Sequence, residues 1–357
     1  MKFLIIAFHP QSMTPYAKHY EKVIIKARYE YDIVFFDRFS NAPLEKKGNQ
    51  FIFHRICTLG GNRLKKLYPF YLFRKTVKRI IKAGKYDKII VLNTMPGFLL
   101  QDILIHSYPN KYIFDIRDYT YEKYTLYRDS VRKIISNSYF TAISSRGFME
   151  FLGHSDKFVI NHNITEYDGV EEPVLSLDKK QKLTIGFVGA VRYFDVNKAL
   201  VDCLSKSSGY QLLYVGRQNE DCNLQEYCQY NNYKNVYFQG TYSNEDKPQI
   251  YQSIDIINSI YGNYSKEVTT LMPNRLYDAL LFKRPILVSK GTYLADIVQK
   301  YRIGLAVNDI TNVENEINRY IMDFDTDLFN TCANVLLSIV LKEQQEFYQK
   351  IGEFIRN

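Results

Sequence analysis

Apolar runs of strand length alternate with longer amphipathic segments twice along the chain. In the first half these runs occupy residues 2–8, 32–37, 87–93, 111–116, 139–144 and 157–161. In the second half they occupy residues 183–189, 210–216, 235–240, 254–259, 284–289 and 303–307. The segments between them are long enough for helices, an alternation typical of parallel, doubly wound sheets. The pattern predicts an α/β chain with two Rossmann-like domains that face a central cleft.

A segment rich in Gly, Pro and charge interrupts this alternation at 166–182, and we interpret it as a linker. The N-terminal domain is then expected at 1–165 and the C-terminal domain at 183–335. A last helix, 336–357, could pack back on the N-terminal domain. Because ligands of open α/β sheets bind beyond the carboxyl ends of the strands, we expect the functional site in the cleft.

Composition narrows the class of protein. The 357 residues are too many for one ordinary core, and 46% of them are hydrophobic, which argues against a disordered chain. No apolar stretch approaches the roughly 20 residues of a membrane span, and the first run is too short for a secretory leader. The five cysteines are scattered without a CxxC pair, which favours a reducing cytoplasm and argues against a structural metal.

Charge is distributed unevenly between the two halves. Residues 1–170 hold 27 Lys or Arg against 15 Asp or Glu, whereas residues 171–357 hold 20 against 23. The stretch 62–88 alone has ten cations and one Asp, interleaved with aromatic and aliphatic residues. Such a surface suits peripheral contact with an anionic membrane. Nucleic acid would suit it too, but no nucleic-acid-binding signature accompanies it, and a simple solvated helix is the third interpretation.

The usual nucleotide motifs are absent from the sequence. Neither GxGxxG nor GxxxxGK[ST] occurs, so ordinary dinucleotide or Walker-type binding loses its main support. In "GFVGAVRYFDVNKAL" a buried strand ends at Gly189, and Arg192 and Lys198 follow, which suits a diphosphate. The alternative is a tight strand-to-helix turn with surface cations.

The stretch "MPNRLYDALLFKRPILVS" predicts a helix that begins near Met272. Its unpaired N–H groups and positive dipole end would be a seat for phosphate. Asp278 shares a helix face with Asn274 and could accept hydrogen bonds from a ribose diol. Alternatively, Asp278 is a solvated residue paired with Arg275.

These residues, together with "VYFQGTYSNEDKPQIYQSIDIINS", resemble the donor half of retaining GT-B glycosyltransferases, especially family 4 enzymes of bacterial capsule and O-antigen assembly. The resemblance spans most of 183–307. It implies that Arg192 and Lys198 hold the donor diphosphate and that Asp278 replaces the ribose-binding Glu of the family. The backbone N–H groups near Leu271 and Met272 would face the sugar and the phosphate.

One departure from the family pattern concerns the first acid of its E-x7-E motif. That position is Thr270 in this chain, and Glu267 lies close by as a substitute. This chain therefore departs from the family at the acid that contacts the transferred sugar.

In the first half, "YIFDIRDYTYEKY" is similar to the "DxRDLWPE" segment of some capsular transferases. The resemblance makes Asp118 the candidate catalytic or acceptor-orienting acid, and a surface pair between Arg117 and Asp118 is the alternative. His9, at another strand end, is a candidate for the acceptor side.

The sequence therefore predicts a cytoplasmic GT-B glycosyltransferase, peripheral on the inner face of the cell membrane. It would move a sugar from a UDP- or GDP-sugar to an oligosaccharide acceptor, lipid-linked by our interpretation, without a cofactor or metal. The resemblance implies retention of configuration, whereas Asp118 acting as a base would indicate inversion. No DxD triplet suits a donor-site cation, since "DFDTD" at 323–327 reads as a loop. Two alternatives remain: a sugar-nucleotide 2-epimerase of the same fold, and a non-catalytic nucleotide-sugar-binding member of a polysaccharide assembly complex.

Overall fold

The computed structural model describes residues 1–57, 64–164, 177, 181–218 and 222–357. The linker predicted at 166–182 lies outside these residues except for Leu177, Gln181 and Lys182. The chain divides into two compact units, the first formed by 1–162 with 342–357 and the second by 163–341.

The first unit is built on an eight-stranded sheet. Its strands are β1 (Lys2–Ile6), β2 (Glu30–Asp37), β3 (Glu45–Lys47), β4 (Gln50–His54), β5 (Lys88–Leu92), β6 (Tyr112–Ile116), β7 (Phe140–Ile143) and β8 (Phe158–Ile160). Its helices are α1 (Ala17–Lys26), α2 (Leu64–Gly84), α3 (Thr94–Leu99), α4 (Gln101–Ser107), α5 (Thr125–Asn137) and α6 (Met149–Leu152). The strand order is β3-β4-β2-β1-β5-β6-β7-β8.

Alternating residues of β1 show how this sheet is covered on both faces. Phe3 and Ile5 pack with α1, whereas Leu4 and Ile6 pack with α2 on the opposite side. Since both faces are buried, the strand is apolar throughout, as expected for a parallel sheet between helices.

The second unit has six strands, all parallel, in the order β11-β10-β9-β12-β13-β14. They are β9 (Leu183–Val188), β10 (Tyr210–Val215), β11 (Val236–Gln239), β12 (Ile256–Ser259), β13 (Ile286–Ser289) and β14 (Gly304–Val307). The helices are α7 (Phe194–Leu204), α8 (Leu224–Tyr230), α9 (Lys247–Gln252), α10 (Lys266–Thr270), α11 (Asn274–Leu281), α12 (Tyr293–Lys300) and α13 (Val313–Met322). This order is that of the Rossmann fold.

The last helix, α14 (Thr326–Arg356), contributes to the cores of both units. Phe329 and Leu336 belong to the core of the second unit, and Phe347 and Phe354 belong to that of the first. The boundary between the units falls after Leu341, whereas the sequence placed the start of a separate C-terminal helix at 336.

The predicted fold class is confirmed, and all twelve expected strands are present. Two further strands were not predicted: β3 pairs with β4 in antiparallel register, with Lys47 opposite Gln50. Within the part of the chain that the structure describes, no single helix has the length and apolarity to cross a membrane. The bent pair Ile310–Met322 and Thr326–Arg356, at 99° to each other, passes that test only when taken together.

Candidate functional site

The order of strands in the second sheet reverses between β9 and β12, so ligands are expected beyond the carboxyl ends of these strands. Gly189 follows β9 with φ of +130°, and no described atom lies within 4 Å of the place where its Cβ would be. Gly216 follows β10, where a Cβ would come within 2.1 Å of the Gly189 carbonyl oxygen. The two glycines therefore let the backbone turn here while the space beside Gly189 stays open.

Arg275, in the first turn of α11, is buried at the end of β9. Its guanidinium carbon lies 3.7 Å from the ring centre of Phe187 and 4.7 Å from that of Tyr261, and Nη1 donates to the Val188 carbonyl at 3.4 Å. Its Nε is also buried and has no hydrogen-bond partner among the described residues. Arg275 thus brings the start of α11 against the strand end that Gly189 follows.

The charge of Arg275 is poorly compensated. Burial, and to a smaller extent the positive charge of Arg192, lower the pKa of its guanidinium to about 10, against the opposing effects of Tyr251, Tyr242 and Asp278. The positive charges of Arg275 and Arg192 therefore repel each other at the ligand-binding edge of the sheet. An anion bound there would relieve both the desolvation and the repulsion.

The predicted diphosphate residues have different surroundings. Arg192 is exposed in the loop between β9 and α7, where its carbonyl accepts from Asn197 Nδ2 at 2.6 Å. Lys198 lies farther along α7, with its ammonium 2.8 Å from Asp202 and 4.9 Å from the ring centre of Tyr227. In this structure Lys198 contacts Asp202 of its own helix and Tyr227 of α8.

Helix α11 begins at Asn274, close to the start that the sequence predicted near Met272. Pro273 occupies the N-cap position with φ of −77°, and Asn274 is exposed as the first helical residue. Leu271 lines a cavity of about 10 Å³ at the ends of β12 and β13, and Met272 packs on the core. Thr270 is buried in α10, and its hydroxyl donates to the Lys266 carbonyl at 2.6 Å.

Asp278 is a buried carboxylate and not the solvated residue of the alternative interpretation. Its oxygens accept from Lys247 Nζ at 3.0 and 3.2 Å and from the Tyr251 hydroxyl at 2.8 Å. Both ionic side chains are largely enclosed, with 7% of Lys247 and 5% of Asp278 exposed. The ribose-binding role of Asp278 stays a prediction, and the carboxylate already has these protein partners.

Glu267 is exposed in α10, and its negative charge acts on the hydroxyls of Tyr193 and Tyr264. Burial raises the pKa of the Tyr193 hydroxyl, and the negative charge of Glu267 raises it further. Tyr193 itself adopts φ of +60° before α7, and its ring lies 5.2 Å from that of Tyr261. Glu267 is therefore near the ring cluster that borders Arg275.

In the first unit, Asp118 is exposed just beyond β6. The preceding Arg117 is buried, and its guanidinium donates to both carboxylate oxygens of Asp115, at 2.6 and 2.9 Å. Arg117 also lies over the ring of Tyr16 at 4.6 Å. Arg117, which the alternative interpretation placed in a surface pair with Asp118, is therefore buried and paired with Asp115.

His9 lies just beyond β1, at the point where the first sheet reverses its order between β1 and β5. Burial lowers the pKa of its imidazole to about 4, and the charge of Arg38 contributes. Its Nδ1 has no hydrogen-bond partner within the described residues. Among those residues, no three His, Cys, Asp or Glu side chains are grouped as metal ligands would be.

Two residues of this site were missed from the sequence. Arg275 was considered only as a partner of Asp278, and Lys247 was not considered. Arg275 is the second residue of α11, a position near the strand ends, so its place in the predicted helix could have identified it as a site residue. The pairing of Lys247 with Asp278 joins residues 31 positions apart, which no local pattern could indicate.

A scan of protein-family models and a search of curated proteins both find no match for this chain. Solved structures do match. Sucrose-phosphate synthase from Thermosynechococcus elongatus has a TM-score of 0.73 at 14% identity, over 100% of this chain and 98% of the other. HepE of Anabaena in complex with UDP-glucose has a TM-score of 0.66 at 16% identity, over 100% and 99%.

The lipopolysaccharide outer core galactosyltransferase WaaB, in its apo form, has a TM-score of 0.64 at 15% identity, over 99% of both chains. These likenesses extend along the whole chain. They show that the protein has the GT-B fold of two Rossmann-like domains.

Proposed function

We propose that the protein is a glycosyltransferase that moves a sugar from a nucleoside diphosphate donor to an oligosaccharide acceptor. The observation that carries this proposal is Arg275, a buried cation without a described carboxylate in hydrogen-bonding contact at the ligand-binding edge of the second sheet. Arg192 and the N-terminus of α11 add positive potential to the same edge. A diphosphate is the anion that would use all three.

The chemistry requires that charge to be stabilised. The bond between the anomeric carbon and the diphosphate oxygen breaks while the acceptor oxygen forms the new bond on the same face. The acceptor proton passes to the departing phosphate, and the nucleoside diphosphate leaves. Arg275, Arg192 and the helix N–H groups would stabilise the negative charge that develops on the leaving group, without a metal.

Uridine is the base to test first. Solved structures of HepE carry UDP and UDP-glucose, and MnaA of S. aureus was solved with UDP. Because a complete retaining site would also need a group near the transferred sugar, Glu267 is the acid to examine beside Tyr193.

The acceptor is proposed to be lipid-linked and presented at the inner face of the cell membrane. Of the stretch 62–88, the structure describes residues from Leu64 onward. Leu64, Leu67, Tyr68 and Tyr71 each expose more than half of their side-chain surface. The cations exposed on or just after the same helix are Lys65, Lys75, Arg79, Lys82 and Lys85.

Not all ten cations of that stretch remain available to a membrane. Arg74 and Lys78 both pair with Asp102, and Lys88 is buried with its ammonium donating to the Phe354 carbonyl. The proposed membrane surface is therefore formed by the exposed apolar residues in the first half of α2 and by the exposed cations on and just after the helix.

The donor site is tested by calorimetric titration of UDP and GDP in EDTA. We expect one nucleotide to bind wild type, and Arg275→Gln to weaken it at least tenfold, since charge-assisted hydrogen bonds to phosphate are lost. Arg319→Gln, an exposed position on α13, is the matched control and should bind as wild type does. The proposal fails if neither nucleotide binds, or if a folded Arg275→Gln protein binds with unchanged affinity.

A further inference from the structure

The first unit contains a second set of nitrogen-bearing side chains at strand ends, two arginines and a histidine. Arg38 follows β2, Arg55 follows β4 and His9 lies just beyond β1, and these three strands are adjacent in the sheet. The backbone fixes their alignment, because Arg55 N donates to the Asp37 carbonyl at 3.0 Å and Cys57 N donates to the Arg38 carbonyl at 2.9 Å.

Arg38 is buried without a described carboxylate in contact. It exposes 6% of its surface, and its guanidinium carbon lies 5.4 Å from the ring centres of Phe8 and Phe36. Nη2 donates to the Cys57 sulfur at 3.3 Å, a weak acceptor. Aromatic faces and a thiol compensate only part of the cost of burying a full charge.

Each of the three residues has one buried nitrogen without a hydrogen-bond partner in the described part of the chain. Arg38 Nε, Arg55 Nε and His9 Nδ1 are buried, and none has a hydrogen-bond partner among the described residues. The neighbouring carboxylate, Asp37, is engaged by His54 Nδ1 at 2.8 Å and by the Ser40 hydroxyl at 2.6 Å. Unpaired buried donors at the ends of three adjacent strands indicate a missing acceptor.

We propose that Arg38, Arg55 and His9 form an anion site that takes a phosphate group of the acceptor. This inference rests on the proposed function only where it identifies the phosphate-bearing ligand as the acceptor substrate. The two guanidinium groups supply the fork geometry that phosphate oxygens accept, and His9 adds a donor from the adjacent strand.

The test follows the imidazole of His9 by NMR as inorganic phosphate is added to the full chain. Its signal is the one of six histidine signals that disappears in His9→Gln. An anion beside the ring favours its protonated form, so we expect the titration midpoint to rise from about 4 by at least one pH unit. Arg38→Gln should abolish this rise, and Lys133→Gln, an exposed cation on α5, should leave it unchanged.

Three further measurements keep the outcome decisive. Arg55→Gln replaces Arg38→Gln if the latter fails to fold, and the phosphate response should persist in Arg192→Ala, which alters the donor site. UDP titration of wild type tests the proposed function separately, since the His9 response does not depend on it.

The source of the phosphate is distinguished by two ligands. Glucose 1-phosphate represents a soluble acceptor, and phosphatidylcholine vesicles with phosphatidic acid represent a lipid phosphate, whose binding is followed by co-sedimentation. An Arg38-dependent response to either supports the site and names the source. No response of His9 to any phosphate, or a response that persists in a folded Arg38→Gln protein, overturns it.

Discussion

Asp278 lies in the second turn of α11, where its carboxylate accepts from Lys247 and Tyr251. Removing one member of a buried ion pair leaves the other charge without compensation, which costs about 3–5 kcal/mol. The same carboxylate could bind a ribose only if its hydroxyl ligands shared or displaced these partners. Stability and nucleotide affinity therefore separate the two roles.

We expect Lys247→Met to lower the free energy of unfolding by about 3 kcal/mol, because Asp278 is left charged and buried. Urea denaturation measures the change, and Lys290→Met, an exposed lysine after β13, is the control. Replacing both members by Lys247→Met with Asp278→Leu should recover part of the loss. If Lys247→Met unfolds as wild type does, Asp278 does not depend on Lys247, and the ribose-binding role gains support.

The donor edge shows which site residues a sequence can reveal. The positions of Gly189 and Arg192 just after β9 were predictable because a buried strand followed by glycine and a cation is a local pattern, and their role in donor binding stays a prediction. Arg275 was harder to recognise, since its importance comes from burial against Phe187 and Tyr261, which lie 88 and 14 positions away. Pairs brought together by tertiary packing leave no periodic trace in the chain.

At the scale of elements, the second half of α14 is attached to the first unit by Glu343. Its carboxylate binds His162 Nε2 at 2.7 Å and also pairs with Arg146. Burial alone would raise the pKa of this carboxyl, but the hydrogen bond from His162 and the charge of Arg146 hold it below its usual value of 4.5. The folded state therefore prefers the ionised form.

We expect Glu343→Gln to lose about 1 kcal/mol of stability at pH 7, the net worth of a charge-assisted contact at a partly exposed position. The folded pKa is lower than the unfolded one, so this stabilisation is present above pH 4.5 and is lost as pH falls through the folded value. Thermal unfolding between pH 3 and 7 measures it, with the exposed Glu346→Gln as control. A difference from wild type that is as large at pH 3 as at pH 7 would contradict the ionic origin.

Most of the strands were predictable because they are short apolar runs, and the central ones are buried on both faces. The hairpin β3–β4 was not predicted, since "EKK" is charged and lies at the sheet edge where pairing does not require burial. A signal was present: Gly48 and Asn49 separate the two strands, and Gly48 has φ of +58°. Such a two-residue turn is typical of tight hairpins.

In the whole molecule, the uneven distribution of charge follows the division of the chain into two units. The first unit holds 30 Lys or Arg against 16 Asp or Glu, whereas the second holds 17 against 22. A net charge of +14 on one unit and −5 on the other gives them different affinities for anionic surfaces. The unit with the exposed face of α2 is the more basic one, and it is there that we propose membrane contact.

Salt should therefore separate the two proposed interactions. Exposed charges are screened within about 8 Å at physiological ionic strength, whereas a buried guanidinium is screened much less. We expect binding to phosphatidylglycerol vesicles, measured by co-sedimentation, to fall at least tenfold between about 50 and 500 mM salt. UDP binding through the buried Arg275 should change by less than about threefold over the same range.

The double variant Lys75→Gln/Lys82→Gln should weaken vesicle binding and leave UDP affinity unchanged, with Lys290→Gln of the second unit as the matched control. Vesicle binding that is insensitive to salt and to these lysines would place membrane contact elsewhere on the chain, or exclude it, without affecting the donor site.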